Sequence, residues 1–345
     1  MKSLDVFFTA PEKAEIIEQE LPEINENQVL CKTEYSHISI GTELHCYKGV
    51  FDPDTHWAGW VKHPFRPGYS NIARVVKVGS AVTELKVGDR VRSAWHHRQY
   101  YVSKTDGLYL VPDDVDPLDA VWINLAGVSQ KNVRKCDIKL GDTVVVIGQG
   151  PVGQLATQFV KNSGALDIIA IDPVASRAEG ARLSGATHVL SCTAGEAVEK
   201  VTEITDGRLA DVVIDTTGHP KALGQACLLV RPIGKLGLVG DTVTPSLQAL
   251  GPGVISKSIT IIGTGGTAHI PGDTPLNPWA IPLISGKLTE WTDNLTTKLL
   301  QKNKVSFKHL VSHKVSPADA PEVYANLLRD RAAYQGVVFD WSMLD

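Results

Sequence analysis

Two hydrophobic rhythms divide the chain. Up to about residue 120, apolar and polar positions alternate in short runs closed by turn residues, the pattern of half-buried strands. Val29, Cys31, Thr33 and Tyr35 interleave with Lys32 and Glu34. Asn71 to Val78 forms another such run, and Gly79 and Lys86-Val87-Gly88-Asp89 supply turns before Arg90-Val91. Between them, Tyr47 to Pro67 is rich in Trp, Pro, His and Gly and has no clean period. It reads as a long surface loop, a kind of segment that often carries function in compact domains.

From about residue 140 the rhythm changes to buried strands alternating with helices. Thr143-Val144-Val145-Val146-Ile147 is a continuous β-branched run, and Val152, Leu155, Ala156, Phe159 and Val160 then recur at helical spacing until Gly164 stops them. Further strands are expected at Asp167–Asp172, Thr187–Leu190, Ala210–Asp215, Lys235–Gly240 and Ser258–Gly263. Leu223, Ala226, Cys227 and Val230 mark the apolar stripe of another helix. Such alternation makes a doubly wound parallel sheet in an α/β fold. Near the end, Leu310–His313 and Gly336–Phe339 read as strands flanking a helix around Pro317–Arg331.

Candidate chemistry begins where the first buried strand stops. Gly148-Gln149-Gly150-Pro151-Val152-Gly153 follows that strand directly and opens the helix. In this G-x-G-x-x-G pattern the first glycine permits a tight turn and the second lets backbone approach a pyrophosphate. The third allows close helix–strand packing, and the helix N-terminus offers free N–H groups to the anion. With a strand before it and a helix after it, the motif reads as a dinucleotide site. Asp172 ends the next strand at roughly the 20-residue distance expected of a ribose-binding carboxylate. A carboxylate there repels a 2′-phosphate, so NAD is favoured over NADP. Arg177 lies close enough along the chain to assist a 2′-phosphate, but it reads better as a solvated helix residue.

Composition adds limits. With 345 residues, two domains are expected. A hydrophobic content of 43% and a charged content of 21% are ordinary for a soluble enzyme. The net charge of -4 and the absence of a Lys/Arg cluster argue against a nucleic-acid partner. No apolar run is long enough for a membrane span, and the first residues lack a signal-peptide layout. Cys31, Cys46, Cys136, Cys192 and Cys227 are scattered without a C-x-x-C pair, as reduced thiols of a cytoplasmic protein would be. A small-molecule substrate is the expected partner.

Several motifs together resemble the medium-chain dehydrogenase/reductase superfamily. Gly41-Thr42-Glu43-Leu44-His45 is similar to its C-G-T-D-x-H, and Pro67-Gly68-Tyr69-Ser70 before Val75-Val76-Lys77-Val78-Gly79 is similar to its P-G-H-E and V-x-x-V-G. Lys86-Val87-Gly88-Asp89-Arg90-Val91, Asp215-Thr216-Thr217-Gly218 and Arg231-Pro232-Ile233-Gly234-Lys235 match further family turns and strand ends. The resemblance implies a GroES-like β-rich catalytic domain at 1–122 and 304–345, and a Rossmann NAD-binding domain at 123–303. It implies cofactor contacts from Gly148, Gly150, Pro151, Val152 and Gly153 at the pyrophosphate and from Asp172, with Arg177 nearby, at the ribose. Thr216, Thr217, Gly218 and Gly240 would lie along the cofactor, and Gly263, Thr264 and Gly265 near the nicotinamide carboxamide. The strand beside that last run is where subunits of relatives often pair, so a homodimer or homotetramer is expected.

The departures from the family pattern concern zinc. The resemblance places the family's metal-binding Cys at Ile40, its His at Tyr69 and its Glu at Ser70, and Leu125-Ala126-Gly127-Val128-Ser129 offers no replacement. An isoleucine cannot coordinate Zn²⁺, and a neutral tyrosine is a poor substitute for imidazole. Arg92-Ser93-Ala94-Trp95 leaves no room for the four-cysteine structural lobe. No zinc is therefore expected at either site. The alternative is a rearranged metal site among His37, His45, His56, His63, His96 and His97. Their spacings match no zinc pattern, and His96-His97 on a strand would face opposite sides.

By resemblance, Thr42 and His45 match the hydroxyl and imidazole that relay a proton to solvent. Without a metal, a side chain must act as general base or acid. Tyr69 is the candidate, with Thr42 orienting the oxygen and His45 carrying the proton outward. Glu43 would stand behind the site, at the cofactor or in a salt bridge. Trp57, Trp60 and His63 would shape a substrate pocket suited to a sugar ring, or form a packed lid. The Ser36 to Glu43 segment resembles the metal-poor branch containing bacteriochlorophyllide dehydrogenase-like and sugar 3-dehydrogenase-like proteins. The leading reading is thus a zinc-independent, NAD-dependent oxidoreductase acting on a secondary alcohol or ketone, such as a polyol or sugar hydroxyl. The alternatives are a quinone/enoyl-type C=C reductase and a dinucleotide-binding protein without turnover.

Overall fold

The computed structural model describes residues 1–264 and 295–344, and the chain separates into two units, Met1–Asn124 with Ser306–Asp345, and Leu125–Val305. In chain order the strands are β1 (Lys2–Ala10), β2 (Lys13–Glu20), β3 (Gln28–Ile38), β4 (Asn71–Val78), β5 (Arg90–Ser93), β6 (Tyr100–Lys104), β7 (Tyr109–Leu110) and β8 (Thr143–Ile147). They continue as β9 (Asp167–Ile171), β10 (His188–Leu190), β11 (Ala210–Asp215), β12 (Val230–Leu238), β13 (Thr260–Gly263), β14 (His313–Val315) and β15 (Val337–Asp340). Among the described residues, no helix is long and apolar enough to cross a membrane.

In the first unit, β14-β15-β3-β4-β5-β7 make one sheet, β6 adds to β3, and β1 and β2 pair separately. The period-2 alternation of β3 has its expected consequence. Val29 and Cys31 point into a core with Ala73, Val75, Val91 and Tyr101, while Lys32 and Glu34 stay partly exposed. Burying each such apolar side chain contributes roughly 1.5–3 kcal/mol. This is the β-rich, GroES-like layout.

The second unit is a six-stranded parallel sheet in the order β10-β9-β8-β11-β12-β13. Val144, Val145, Val146 and Ile147 of β8 are buried because the sheet is covered on both faces. The chain runs outward from β8 to β10, then returns to start again at β11. That reversal leaves a switch point between β8 and β11, where open α/β sheets bind ligands at their strands' carboxyl ends.

Five local expectations are corrected. The segment Tyr47–Pro67 is not all loop. Helix Ile40–Lys48 runs into it and helix His56–Trp60 lies inside it, the latter too short to show a period. Leu310–His313 is not a strand: Lys308–Leu310 forms a 3₁₀ turn, and β14 begins only at His313, where it can pair with β15. The expected helix around Pro317–Arg331 splits into a 3₁₀ turn, Pro317–Asp319, and a helix, Ala320–Arg329. Val230 heads β12 instead of closing helix Ala222–Leu229, and its backbone is extended at φ -82°, ψ 132°, which suits its β-branched side chain. His96 and His97 also lie off any strand, in the link between β5 and β6.

Candidate functional site

The glycine loop of the second unit is built by three different constraints. Gly148 turns the chain off β8 at φ +85°, and a Cβ there would fall 2.7 Å from the Thr217 methyl. At Gly153 a Cβ would fall 1.8 Å from the carbonyl oxygen of Gly148, so only glycine lets the helix start this close to the strand. At Gly150, the N-cap of helix Pro151–Asn162, a Cβ would meet nothing within 4 Å. Open space over a helix N-terminus is what a pyrophosphate needs.

Neighbouring residues pin this loop. Asp172 follows β9 and accepts the backbone N–H of Gln149 at 2.7 Å and of Val174 at 2.8 Å. The Thr216 hydroxyl, past the end of β11, donates to the carbonyls of Ile147 at 3.0 Å and Gly148 at 3.1 Å. Asp215 holds Thr217 through its N–H at 2.9 Å and its hydroxyl at 2.6 Å. Gly240 stands against the N–H of Gly218. Thus the glycine loop, Asp172, Thr216–Gly218 and Gly240 gather at the carboxyl ends of β8, β9, β11 and β12.

Other residues of the sequence reading sit differently. Arg177, in helix Ala175–Gly180, is half-buried and not a freely solvated residue. Gly263 ends β13. Thr264 is buried with its hydroxyl donating to Leu238 O at 2.6 Å and accepting from Asn132, so its side chain is committed to the fold. Gly265 lies outside the described residues. Two residues that the sequence reading missed are Gln149 and Gln154. The Gln149 side chain is buried and donates to Val146 O at 2.9 Å, and Gln154 donates to Gln149 O at 3.1 Å.

In the first unit the candidate proton-handling residues come together on one helix and one turn. Tyr69 donates its phenol to Ser39 Oγ at 2.6 Å. Burial raises the phenol pKa above its usual value, and the hydrogen bonds it shares with Ser39 and Thr42 offset only part of this. The backbone carbonyl of Tyr69 accepts from Asn124 at 2.7 Å, which fixes the turn. Thr42 and His45 are one turn apart on helix Ile40–Lys48, and so share a face. His45 is partly buried, with its ring edge-on to Trp57 at 5.5 Å. Burial, with Arg331 and Lys48 nearby, pulls its pKa down to about 4.

Trp57 is buried beside His45, and its indole N–H has no partner among the described residues. Trp60 is exposed and packs on Trp57 at 5.7 Å and Phe65 at 5.3 Å. His63 lies against Gly49, at the far end of helix Ile40–Lys48. Glu43 is fully interior and meets His97 and Tyr324. Nothing local in the sequence pairs those residues with it, and Ser39 was not singled out from the sequence.

The positions that would carry zinc hold Ile40, Tyr69 and Ser70, all with little exposure. This set does not fit a divalent zinc ion: an alkyl group has no lone pair, and neither a protonated phenol nor a serine hydroxyl is a thiolate or an imidazole. The histidines are spread over separate partners: His37 on Trp122, His96 on Gly68 O, His97 on Glu43, and His45 and His56 on Trp57. Among the described residues, no group of three or more His, Cys, Asp or Glu side chains could hold one ion.

Comparison with known proteins gives a consistent pattern. The family model described as alcohol dehydrogenase GroES-like domain matches residues 25–109, and that described as zinc-binding dehydrogenase matches residues 151–277. An L-threonine 3-dehydrogenase of Caldanaerobacter subterraneus subsp. tengcongensis is 30% identical over 290 residues, covering 74% of this chain and 80% of its own. A sorbitol dehydrogenase of Bacillus subtilis is 29% identical over 274 residues, covering 70% and 76%. For the fold, an Escherichia coli oxidoreductase/dehydrogenase of unknown specificity superposes with a TM-score of 0.81 at 23% identity, over 99% of both chains.

Proposed function

Because this chain belongs to the medium-chain dehydrogenase/reductase superfamily and is an oxidoreductase of that type, we propose that it interconverts a secondary alcohol and a ketone, uses NAD, and moves the proton with side chains alone. The observation that carries the reading is the replacement of the metal-binding set by Ile40, Tyr69 and Ser70, with the Tyr69 phenol already hydrogen-bonded to Ser39.

The cofactor fits the second unit. The loop Gly148–Gly153 would hold its pyrophosphate and Asp172 its adenosine ribose. Bound there, a nicotinamide dinucleotide supplies the hydride acceptor or donor. The carboxylate of Asp172 favours ribose hydroxyls over a 2′-phosphate, which supports NAD.

The rest is done by this chain's own groups. Burial keeps Tyr69 protonated, so in the reducing direction its O–H can donate to a carbonyl oxygen as negative charge develops there. In the oxidising direction the same oxygen must lose its proton as it receives one from the alcohol. Ser39 Oγ, which accepts its O–H, and Thr42, also bonded to it, offer the relay hydroxyls. His45 is neutral above about pH 4, so it can accept a proton but does not retain it near neutrality. Trp60, exposed and packed on Trp57 beside His45, offers an aromatic face there, which suits a polyol or sugar that is apolar on one face.

A panel of polyols and sugars, assayed with NAD, tests the proposal. Turnover of a secondary alcohol is expected, unaffected by prior treatment with a chelator. Tyr69→Phe should lower kcat by about 10²- to 10⁴-fold, the range for losing a general acid. One tightly bound zinc per chain, with activity abolished by its removal, would overturn the reading. So would an unchanged rate in Tyr69→Phe.

A further inference from the structure

Glu43 is buried beneath the Tyr69 site, and its carboxylate is saturated with donors. Oε1 accepts the backbone N–H of Ser39 at 2.8 Å. Oε2 accepts from His97 Nε2 at 3.0 Å and from the Tyr324 phenol at 2.5 Å. His97 is itself buried, and its Nδ1 stands 2.7 Å from Ser36 Oγ, which also accepts the Trp341 indole N–H at 2.9 Å. Every hydrogen finds an acceptor in one continuous arrangement: Trp341 to Ser36, Ser36 to His97 Nδ1, and His97 Nε2–H to Glu43.

This network ends on Ser39. That residue is the N-cap of helix Ile40–Lys48, and Glu43 holds its N–H much as a capping-box carboxylate does, one position further along. The Ser39 side chain makes no cap bond, which leaves Oγ to receive the Tyr69 phenol. The same stretch grips the turn that carries Tyr69. His97 N–H donates to Pro67 O at 3.0 Å, and the His96 ring meets Gly68 O at 3.2 Å. A buried carboxylate left without its donors is costly, so these bonds stand or fall as a unit.

We propose that His97 and Tyr324 are positioning residues. Acting through Glu43 and Ser39, they fix the position of the Tyr69 phenol oxygen, and with it the distance a proton crosses between that oxygen and the substrate oxygen. This rests on the role given to Tyr69 above. Neither residue touches substrate. Their part is to hold a charged acceptor, which bonds more strongly than a neutral one, where it locks Ser39.

A double-mutant cycle on the best substrate of the panel tests this. Tyr324→Phe, which deletes a single hydroxyl, should lower kcat by about tenfold, within the range for coupled neighbours, and leave the Kd for NADH unchanged. His97→Leu should do the same, while His97→Gln, whose amide can stand in for Nε2–H, should recover most of the loss. In a Tyr69→Phe background, Tyr324→Phe should have no further effect. Losses that multiply in the double mutant, or equal rates for His97→Gln and His97→Leu, would overturn the proposal. If His97→Leu does not fold, the Tyr324 cycle alone decides. If Tyr69→Phe is itself without effect, or no panel member is turned over, the underlying reading fails, and this inference with it. An effect of Tyr69→Phe without one of Tyr324→Phe sinks only the inference.

Discussion

Replacing Gly150 by alanine separates a ligand-driven glycine from a fold-driven one. Gly150 sits at φ -65°, ψ -175°, a conformation open to any residue, and an added Cβ would meet nothing within 4 Å. Losing glycine's freedom in the unfolded chain stabilises by about 0.4–1 kcal/mol. Alanine is a poorer N-cap than glycine, which costs on the order of the same amount. The two effects nearly cancel, so the thermal midpoint should barely move. Dinucleotide affinity should nevertheless fall at least tenfold, or about 1.4 kcal/mol, because the methyl occupies space the pyrophosphate needs. Gly153→Ala is the contrasting case. Its Cβ would lie 1.8 Å from Gly148 O, a backbone atom that cannot rotate away, so a loss of about 3 kcal/mol or more is expected. Titration of NADH by fluorescence, beside thermal melts of both variants, makes the measurement. A Gly150→Ala protein that binds NADH as tightly as the wild type would refute the placement of the pyrophosphate.

Three further outcomes follow from the same geometry. NADH should bind more tightly than NADPH, and Asp172→Ser should narrow the difference; equal affinities in the wild type would remove the role given to that carboxylate. Thr216→Val loses the hydroxyl that bonds the carbonyls of Ile147 and Gly148, so cofactor affinity should drop several-fold and stability by about 1 kcal/mol per bond, with an unchanged Kd counting against the anchoring role. His45, near pKa 4 when folded and about 6.5 when unfolded, binds fewer protons in the native state across that window. Its contribution is therefore complete above pH 6.5 and is lost as pH falls towards 4, with a slope of up to about 1.4 kcal/mol per pH unit. Urea midpoints at pH 7 and 5.5 should fall less steeply in His45→Gln than in the wild type, and parallel slopes would contradict the assignment.

The second unit was legible from the sequence because its determinants are local. The β-branched run of β8, the glycines that follow and Asp172 at the end of the next strand all lie within one βαβ unit, and each obeys a rule of spacing. Residue identity alone likewise shows Ile40, Tyr69 and Ser70 at the positions where the family resemblance expects metal ligands. Tertiary structure decided what stands behind them. Glu43 takes His97 from 54 residues away and Tyr324 from 281 residues away, and no periodicity links such positions. Trp57 became buried beside His45, and Thr264 turned its hydroxyl inward, for the same reason. Propensity and spacing act over one or two turns or strands. The partners of a buried polar group are set by which distant elements the core brings together, and by the cost of leaving any of them unpaired.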